Sequence, residues 1–226
     1  MIHELAPLVR MLALEPVAQA PDHRHTAVVD GVALVATTTG IGMVAAAGAT
    51  ERMLDHLAVD HVIVVGIAGG VATDSRIGDV IVPAVVIDGP TGREHRPTPI
   101  GDVEPSGRLV TSDDLLVDSD AFDQLEADGV VALDMETSAV ALVCEGRDTP
   151  WSVFRSLSDH PRDGLVDPAI LALTRADGSA DLEALERYLA SDPGAADRLA
   201  RLASDMELAT NAAATAAIAA YKQWQT

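Results

Sequence analysis

Short apolar runs alternate along the chain with longer stretches of helical pattern, and this alternation limits the possible folds more than any other feature. The runs at 61–65, 80–87, 129–133 and 151–157 are almost continuously apolar, which is typical of strands buried on both faces. Helical patterns occupy residues 42–57, 136–147, 182–189 and 195–221. We therefore predict one α/β domain over residues 1–226, with a mixed, largely parallel central sheet flanked by helices.

Glycines divide several of these segments. Two β-branched runs, 26–30 and 32–38, lie on either side of Gly31 and predict a hairpin. Residues 89–106 are rich in Pro and Gly and predict a surface loop. Residues 66–70 read Gly-Ile-Ala-Gly-Gly and predict a small-residue turn after the strand at 61–65. Such a turn leaves room for a flat ring or a sugar, although close packing of two loops explains it equally well.

Charge and composition exclude several classes of function. The chain has 15 basic and 35 acidic residues, a net charge of −20, so we expect no nucleic acid and no anionic membrane as a partner. Cys144 is the only cysteine, and the histidines lack metal-binding spacing, so neither a disulfide nor a metal site is expected. The amino terminus resembles no signal peptide, and we expect a cytoplasmic protein.

The segment from Thr39 to Ala45 matches the dinucleotide fingerprint G-x-G-x-x-A. A nicotinamide site also requires an acidic residue at the end of the next strand, and that strand ends at Gly66. We therefore set the dinucleotide interpretation aside and expect no cofactor. The glycines can still bring backbone amides close to a polar ligand at a helix N-terminus, or simply form a tight turn.

Two acids lie where predicted strands end. Glu136 lies where a strand passes into a helix, and Asp159 follows the strand at 151–157, so both side chains should emerge at one edge of the sheet. A helix cap is the common alternative for an acid in such a position. Arg155 lies within a strand and, once buried, needs a carboxylate partner. These residues predict a site, and a structural ion pair would explain Arg155 equally well.

Four motifs in register resemble the purine nucleoside phosphorylase/nucleosidase superfamily, most closely its 5′-methylthioadenosine/S-adenosylhomocysteine nucleosidases. They are T-G-I-G before an alanine-rich helix, V-G-x-A-G-G followed by I-G-D-V, M-E-x-x-A-V-A, and R-x-x-S-D. The likeness is clear between Thr37 and Asp159. It implies the fold of that superfamily and cleavage of the N-glycosidic bond of a small-molecule purine nucleoside.

The resemblance also implies roles for individual residues. Asp159 matches the acid that protonates the departing base, with Ser158 orienting it, and Glu136 matches the carboxylate that holds the ribose hydroxyls. Glu4 matches the residue that activates water. The remaining positions matched to substrate binding are Thr39, Gly40, Gly69, Met135 and Arg155, with Leu115 or Leu116 where the family stacks an aromatic on the base.

The resemblance leaves the nucleophile and the substrate open. Phosphorylases hold phosphate with arginines near the glycine turns, and residues 66–71 contain none, so water is favoured. Arg10, Arg76, Arg93 and Arg96 are the other candidates in this half of the chain. The substrate could be methylthioadenosine-like or futalosine-like. A member that binds nucleosides without cleaving them is the other alternative, and the family implies a homodimer or a higher homo-oligomer.

Overall fold

The computed structural model describes residues 1–18, 24–114, 119–163, 165–166, 168–175 and 179–224. The helices are α1 (Ile2–Leu12), α2 (Met43–His56), α3 (Ser119–Ala127), α4 (Thr137–Gly146), α5 (Pro168–Leu171), α6 (Leu182–Ser191) and α7 (Ala195–Trp224). The strands are β1 (Glu15–Pro16), β2 (His25–Val29), β3 (Val32–Ala36), β4 (Val62–Gly70), β5 (Val80–Ile81), β6 (Val85–Asp88), β7 (Glu94–His95), β8 (Arg108–Thr111), β9 (Val130–Asp134) and β10 (Trp151–Asp159).

The central sheet is mixed, as the sequence predicts. Seven strands follow the order β5-β10-β4-β9-β8-β6-β7, and β1, β2 and β3 form a separate antiparallel sheet. The longer pairings, β4 with β10, β6 with β8 and β8 with β9, are parallel. The pairings of β5 with β10, β4 with β9 and β6 with β7 are antiparallel and short. The α/β prediction with helices around a mixed sheet is confirmed.

The hairpin predicted around Gly31 is present. β2 and β3 pair antiparallel, with Val29 opposite Val32 across a two-residue turn. Both turn residues have positive φ, 52° at Asp30 and 84° at Gly31, which is the combination that type I′ hairpin turns require.

The predicted strand over 80–87 is wrong, because the chain forms two strands there. β5 pairs with β10 at one edge of the sheet, whereas β6 pairs with β8 and β7 near the opposite edge. Pro83 lies between them and has no N–H to give to a ladder, so the apolar run cannot continue as one strand. The predicted loop at 89–106 is likewise interrupted by the short strand β7.

The predicted turn at 66–70 is also wrong, because these residues are the second half of β4. The glycines there make room for side chains. A Cβ on Gly66 would collide with the side chains of Arg155 and Glu4, and one on Gly69 would lie 2.8 Å from Cγ of Pro161. Small residues therefore let neighbouring side chains approach the face of the strand.

Two apolar clusters cover the two faces of β4. One packs Val62 and Val64 against α2 and α4, with Ala46 and Val140 among its buried members. The other packs Ile63 and Val65 against α7 through residues such as Ala217. This arrangement buries the centre of the sheet and leaves the carboxyl-terminal parts of β4, β9 and β10 to build a site. No helix in the described part of the chain combines the length and the apolar character needed to cross a bilayer.

Candidate active site

A cavity of about 1350 Å³ lies at the carboxyl-terminal parts of β4, β9 and β10 and extends beneath α1, β3 and α7. Nine of the residues predicted for the site line it: Glu4, Thr39, Gly40, Gly69, Met135, Glu136, Arg155, Ser158 and Asp159. Leu115 and Leu116 lie outside the described residues. The structure thus gathers residues from distant parts of the chain into one cavity wall.

Arg155 is the buried cation at the centre of this wall. Its side chain is 4% exposed, and Nη2 lies 2.5 Å from Oδ2 of Asp134 and 3.3 Å from Oε2 of Glu136. Nη1 lies 3.7 Å from Oε1 of Glu4. Burial alone would lower the pKa of Arg155, and the three carboxylates outweigh it and raise that pKa. The expectation that a buried Arg155 needs carboxylate partners is confirmed.

Glu136 is not a capping residue, although it occupies the N-cap position of α4. Its side chain makes no capping hydrogen bond, and instead Oε1 accepts the N–H of Gly42 at 3.1 Å. Burial raises the pKa of Glu136 to about 7, against the opposing effect of Arg155. The carboxylates of Asp134 and Glu4 add to the rise. Glu136 therefore takes up a proton near neutral pH unless a ligand brings donors or positive charge to it.

The turn at residues 39–42 provides a hydrogen bond to the carboxylate of Glu136. Gly42 has a φ of 90° and lies immediately before α2, so its amide points out of the helix end towards Glu136. Thr39 and Gly40 precede it on the cavity wall, and the Thr39 hydroxyl donates to the carbonyl of Gly40 at 3.2 Å. The sequence that resembles a dinucleotide fingerprint thus binds the carboxylate of Glu136 through a backbone amide.

Asp159 ends β10 and faces the cavity. Burial raises the pKa of its carboxyl, and the hydroxyl of Ser158, which donates to Oδ1 at 2.7 Å, opposes the rise. Pro161 packs over Gly69 next to Asp159 and holds the chain close against β4. A carboxylic acid with a raised pKa at a cavity wall is suited to donate a proton to a bound molecule.

Glu136 and Asp159 share a cavity for a different reason from the one the sequence suggested. Parallel strands would bring both to one edge of the sheet, but β9 runs antiparallel to β4 and hence to β10. Leu133 pairs with Gly69, so the carboxyl-terminal ends of β9 and β4 lie side by side and run in opposite directions. The same-edge reasoning is therefore wrong, whereas the meeting of the two acids is correct.

Glu4 reaches the site from α1. Its Oε1 accepts the N–H of Ile67 at 3.0 Å, and its side chain is 14% exposed. The terminal ammonium of Met1 contacts its other carboxylate oxygen. Three carboxylates, those of Glu4, Asp134 and Glu136, thus surround one guanidinium.

Sequence reasoning missed a buried polar network behind Arg155. Asp134 accepts a hydrogen bond from Thr111 Oγ1 at 2.6 Å and lies under the N-terminus of α4, where the Thr137 N–H reaches it at 3.2 Å. Thr137 also receives a hydrogen bond from Arg155 Nη2 at 3.0 Å. The available signal was the acid two positions before Glu136, at the end of an apolar strand. Within the described residues no group of His, Cys, Asp and Glu side chains is arranged to hold a metal ion.

Comparisons with known proteins agree with this geometry. Residues 1–111 and 102–207 match the family model described as the phosphorylase superfamily. The chain is 31% identical over 156 residues to the 5′-methylthioadenosine/S-adenosylhomocysteine nucleosidase of Tolumonas auensis, covering 56% of this chain and 68% of that protein. It is 30% identical over 165 residues to the Chromohalobacter salexigens protein of the same name, covering 60% of this chain and 70% of the relative.

Solved structures share the fold over nearly the whole chain. Futalosine hydrolase of Helicobacter pylori superposes with a TM-score of 0.72 at 17% identity, covering 98% of this chain and 94% of that one. A mutant of the Helicobacter pylori nucleosidase, with 5′-methylthioadenosine in its active site, gives a TM-score of 0.72 at 16% identity, covering 98% and 95%. At these identities the likeness establishes the fold.

Proposed function

Because the chain belongs to the phosphorylase superfamily, we propose that it is a nucleosidase that hydrolyses the N-glycosidic bond of a purine nucleoside to free base and a ribose derivative. One observation carries the proposal: a partly buried carboxyl with a raised pKa, Asp159, lines the same cavity as the carboxylate of Glu136. Cleaving a glycosidic bond needs an acid for the leaving group and negative charge for the cationic sugar.

Asp159 acts as the general acid. A purine is a poor leaving group as an anion, so a proton must reach its ring as the bond to the sugar breaks. The raised pKa keeps the Asp159 carboxyl protonated to higher pH than that of an ordinary aspartate. The Ser158 hydroxyl fixes the orientation of the carboxyl through its hydrogen bond to Oδ1.

Glu136 holds the ribose and offsets the charge of the transition state. Its carboxylate accepts hydrogen bonds from sugar hydroxyls and lies close to the positive charge that develops on the ring. Gly42 and Arg155 fix the position of the carboxylate. Met135 and Thr39 line the adjacent wall, where they contact the sugar.

The nucleophile is water, and Glu4 activates it. A phosphate dianion at this end of the cavity would meet the carboxylates of Glu4 and Glu136, while the charge of Arg155 is already shared among three acids. Arg10, Arg76, Arg93 and Arg96 are not among the described residues that line the cavity. Water carries no charge to be repelled, and Glu4 can accept its proton.

The substrate we propose is a purine nucleoside whose 5′ substituent has an apolar part next to the sugar, of the methylthioadenosine, adenosylhomocysteine or futalosine kind. The names of the relatives support this class, and so do the apolar side chains of Val166, Ile170 and Leu173 in the cavity wall. We also propose a homo-oligomer, because neighbouring helices α2 and α4 expose Val44 (85%) and Leu142 (48%) to solvent. A cytoplasmic location stays a prediction from the sequence.

Base release from a panel of nucleosides tests the proposal. The panel contains methylthioadenosine, adenosylhomocysteine, adenosine, inosine and futalosine, each with and without phosphate, and products are separated by chromatography. We expect release without phosphate from at least one 5′-substituted member. Release that requires phosphate would make the protein a phosphorylase, and tight binding of a nucleoside without cleavage would make it a binding protein.

A further inference from the structure

Arg162 joins the segment that follows Asp159 to helix α3. The chain leaves β10 at Asp159 and forms a short 3-10 helix at Pro161–Asp163. From this short helix, Arg162 Nη1 donates to Oδ1 of Asp123 at 2.6 Å, and Nη2 donates to Oε2 of Glu126 at 3.1 Å. Both acids belong to α3, so two ion pairs hold the segment that carries Asp159 against that helix.

The guanidinium of Arg162 is also stacked, and the helix that it binds is fixed. Its Cζ lies 5.5 Å from the ring centroid of Phe122, a side chain that is fully buried. Leu125 of the same helix packs against Val71 and Val130, next to the central sheet. A planar guanidinium that is bound by two carboxylates and a ring face is held in one orientation. Arg162 therefore binds an element that does not move freely.

Glu126 extends the connection to a third segment. Its Oε1 accepts the N–H of Thr73 at 3.1 Å and the Thr73 hydroxyl at 3.3 Å, while its Oε2 binds Arg162. Thr73 lies three residues beyond the end of β4. One carboxylate of α3 thus joins the segments that follow β4 and β10, the two strands that meet at Asp159 and Gly69.

The segment after β10 shields one side of the Asp159 carboxyl. The ring of Pro161 packs against Gly69, where a Cβ would lie 2.8 Å from Cγ of the proline and 3.5 Å from Oδ2 of Asp159. Burial is the main reason why the pKa of Asp159 is raised. If this segment moved away from β4, water would reach the carboxyl, and the acid would be directed at the base less often.

The guanidinium of Arg162 faces α3 and not Asp159. The charged groups that act on the Asp159 carboxyl are His160 and Asp163 on its own segment and Asp205 on α7. Arg162 therefore acts on Asp159 through the three backbone links that join the two residues, and not through its charge.

We propose that Arg162 is a positioning residue for the general acid: by binding α3 it holds the segment after β10 against β4 and fixes the Asp159 carboxyl where it can reach the base. The catalytic part of this inference rests on the proposed function. The placement of the carboxyl rests on the contacts of Arg162, Glu126 and Pro161 alone.

Arg162→Met tests the proposal, because methionine keeps an apolar stem and removes the guanidinium. The matched control is Arg198→Met. Arg198 likewise pairs with an acid, Asp192, at 2.8 Å and lies over a ring, that of Tyr188, at 5.6 Å, and it is not among the described residues that line the cavity. We expect Arg162→Met to lower kcat at least about tenfold and to change KM less than about threefold, because a misplaced acid slows the chemical step more than binding. The control should keep the kcat of the unaltered chain.

The pKa of Asp159 is a readout that a purely structural role would not move. NMR titration of its carboxyl carbon needs no substrate, and the fall of kcat at high pH reports the same group during turnover. In Arg162→Met we expect both values to lie at least about half a pH unit below those of the unaltered chain, because water reaches the carboxyl. Arg198→Met should leave both unchanged.

Glu126→Gln examines the other side of the same contact. It should lower kcat and the pKa of Asp159 in the same direction as Arg162→Met. The double variant should fall no further than Arg162→Met alone, since the two residues act as a unit. If Arg162→Met fails to fold, Glu126→Gln decides: a lowered pKa of Asp159 supports the proposal, and an unchanged one contradicts it.

Unchanged kcat and an unchanged pKa of Asp159 in Arg162→Met would overturn the proposal, as would equal changes in Arg198→Met. A rise of KM alone would overturn it too, because Arg162 would then contribute to binding. A chain that releases no base from any nucleoside, yet shows the lowered pKa, would contradict the proposed function and support this placement of the carboxyl. An active enzyme in which the pKa stays unchanged would contradict the positioning role alone.

Discussion

Arg155 donates a 2.5 Å hydrogen bond to Asp134, and both side chains are shut off from solvent, with exposures of 4% and 1%. This pair fixes the guanidinium in the wall of the cavity. The carboxylates of Glu136 and Glu4 lie 3.3 Å and 3.7 Å from the Arg155 guanidinium, and they share the positive charge that Asp134 does not neutralise. The negative charge of these two carboxylates is therefore only partly neutralised. This suits groups that bind a cationic transition state and a water molecule.

Replacing Arg155 should destabilise the fold. Arg155→Met leaves the buried Asp134 carboxylate without its cation, and loss of one partner of a buried pair costs about 3–5 kcal/mol. The control is Arg147→Met, which breaks the exposed pair with Asp55, whose side chains are 46% and 52% exposed, and should cost less than about 1 kcal/mol. Urea unfolding compares the two, and equal losses would contradict the central place given to Arg155.

Asp159→Asn should abolish turnover and preserve the fold. The amide keeps the shape and can still accept the Ser158 hydroxyl, but it has no acidic proton to give to the base. We expect kcat to fall by at least about 100-fold with little change in Tm. Asp102→Asn removes an exposed acid that is not among the residues lining the cavity and should leave kcat unchanged. Normal turnover by Asp159→Asn would rule out its role as the acid.

The pH dependence of kcat/KM should be bell-shaped. Glu136 must be ionised to offset positive charge on the sugar, and because burial raises its pKa to about 7, its protonation lowers activity as pH falls. Asp159 must be protonated, and because burial raises its pKa, activity falls again as pH rises through that value. Steady-state rates across a buffer series measure both limbs. In Glu136→Gln the fall of kcat/KM at low pH should disappear. If it persists, another group causes that fall.

Glu136→Gln should stabilise the protein above neutral pH. A carboxyl whose pKa is higher in the folded state favours folding at low pH, and that contribution is lost as pH rises from the ordinary value of 4.5 through about 7. Gln stays neutral and avoids the loss, a gain on the order of 2 kcal/mol at pH 8. Thermal unfolding at pH 5 and pH 8 checks this, with the exposed Glu207→Gln as control. An advantage at pH 5 that vanishes at pH 8 would reverse the sign and refute the prediction.

Much of the site could be predicted because its chemistry follows from residue type. A charged residue in an apolar strand needs a partner of opposite charge, and on this ground the sequence predicted a carboxylate beside Arg155. Its main partner, Asp134, lies 21 positions away, and no local pattern reports that distance. Nor could the sequence indicate that the Glu136 carboxylate would bind Gly42 instead of capping its own helix.

Two of the errors in the fold, the turn at 66–70 and the direction of β9, have a common cause. Glycines after an apolar run usually mark a turn, yet Gly66 and Gly69 continue β4 because Arg155, Glu4 and Pro161 occupy the space that side chains would need. Those neighbours come from distant segments. The direction of β9 relative to β4 depends in the same way on pairing across the sheet, so the sequence placed the two acids together for the wrong reason.

The most direct test of the account follows the oxygen atom that replaces the base. The preferred nucleoside of the panel is turned over in ¹⁸O-labelled water with phosphate present, and the sugar product is analysed by mass spectrometry. We predict one ¹⁸O in the anomeric hydroxyl of a free sugar, because Glu4 directs water to the carbon that the base leaves. A sugar 1-phosphate without label in its bridging oxygen would show phosphate attack and contradict the account.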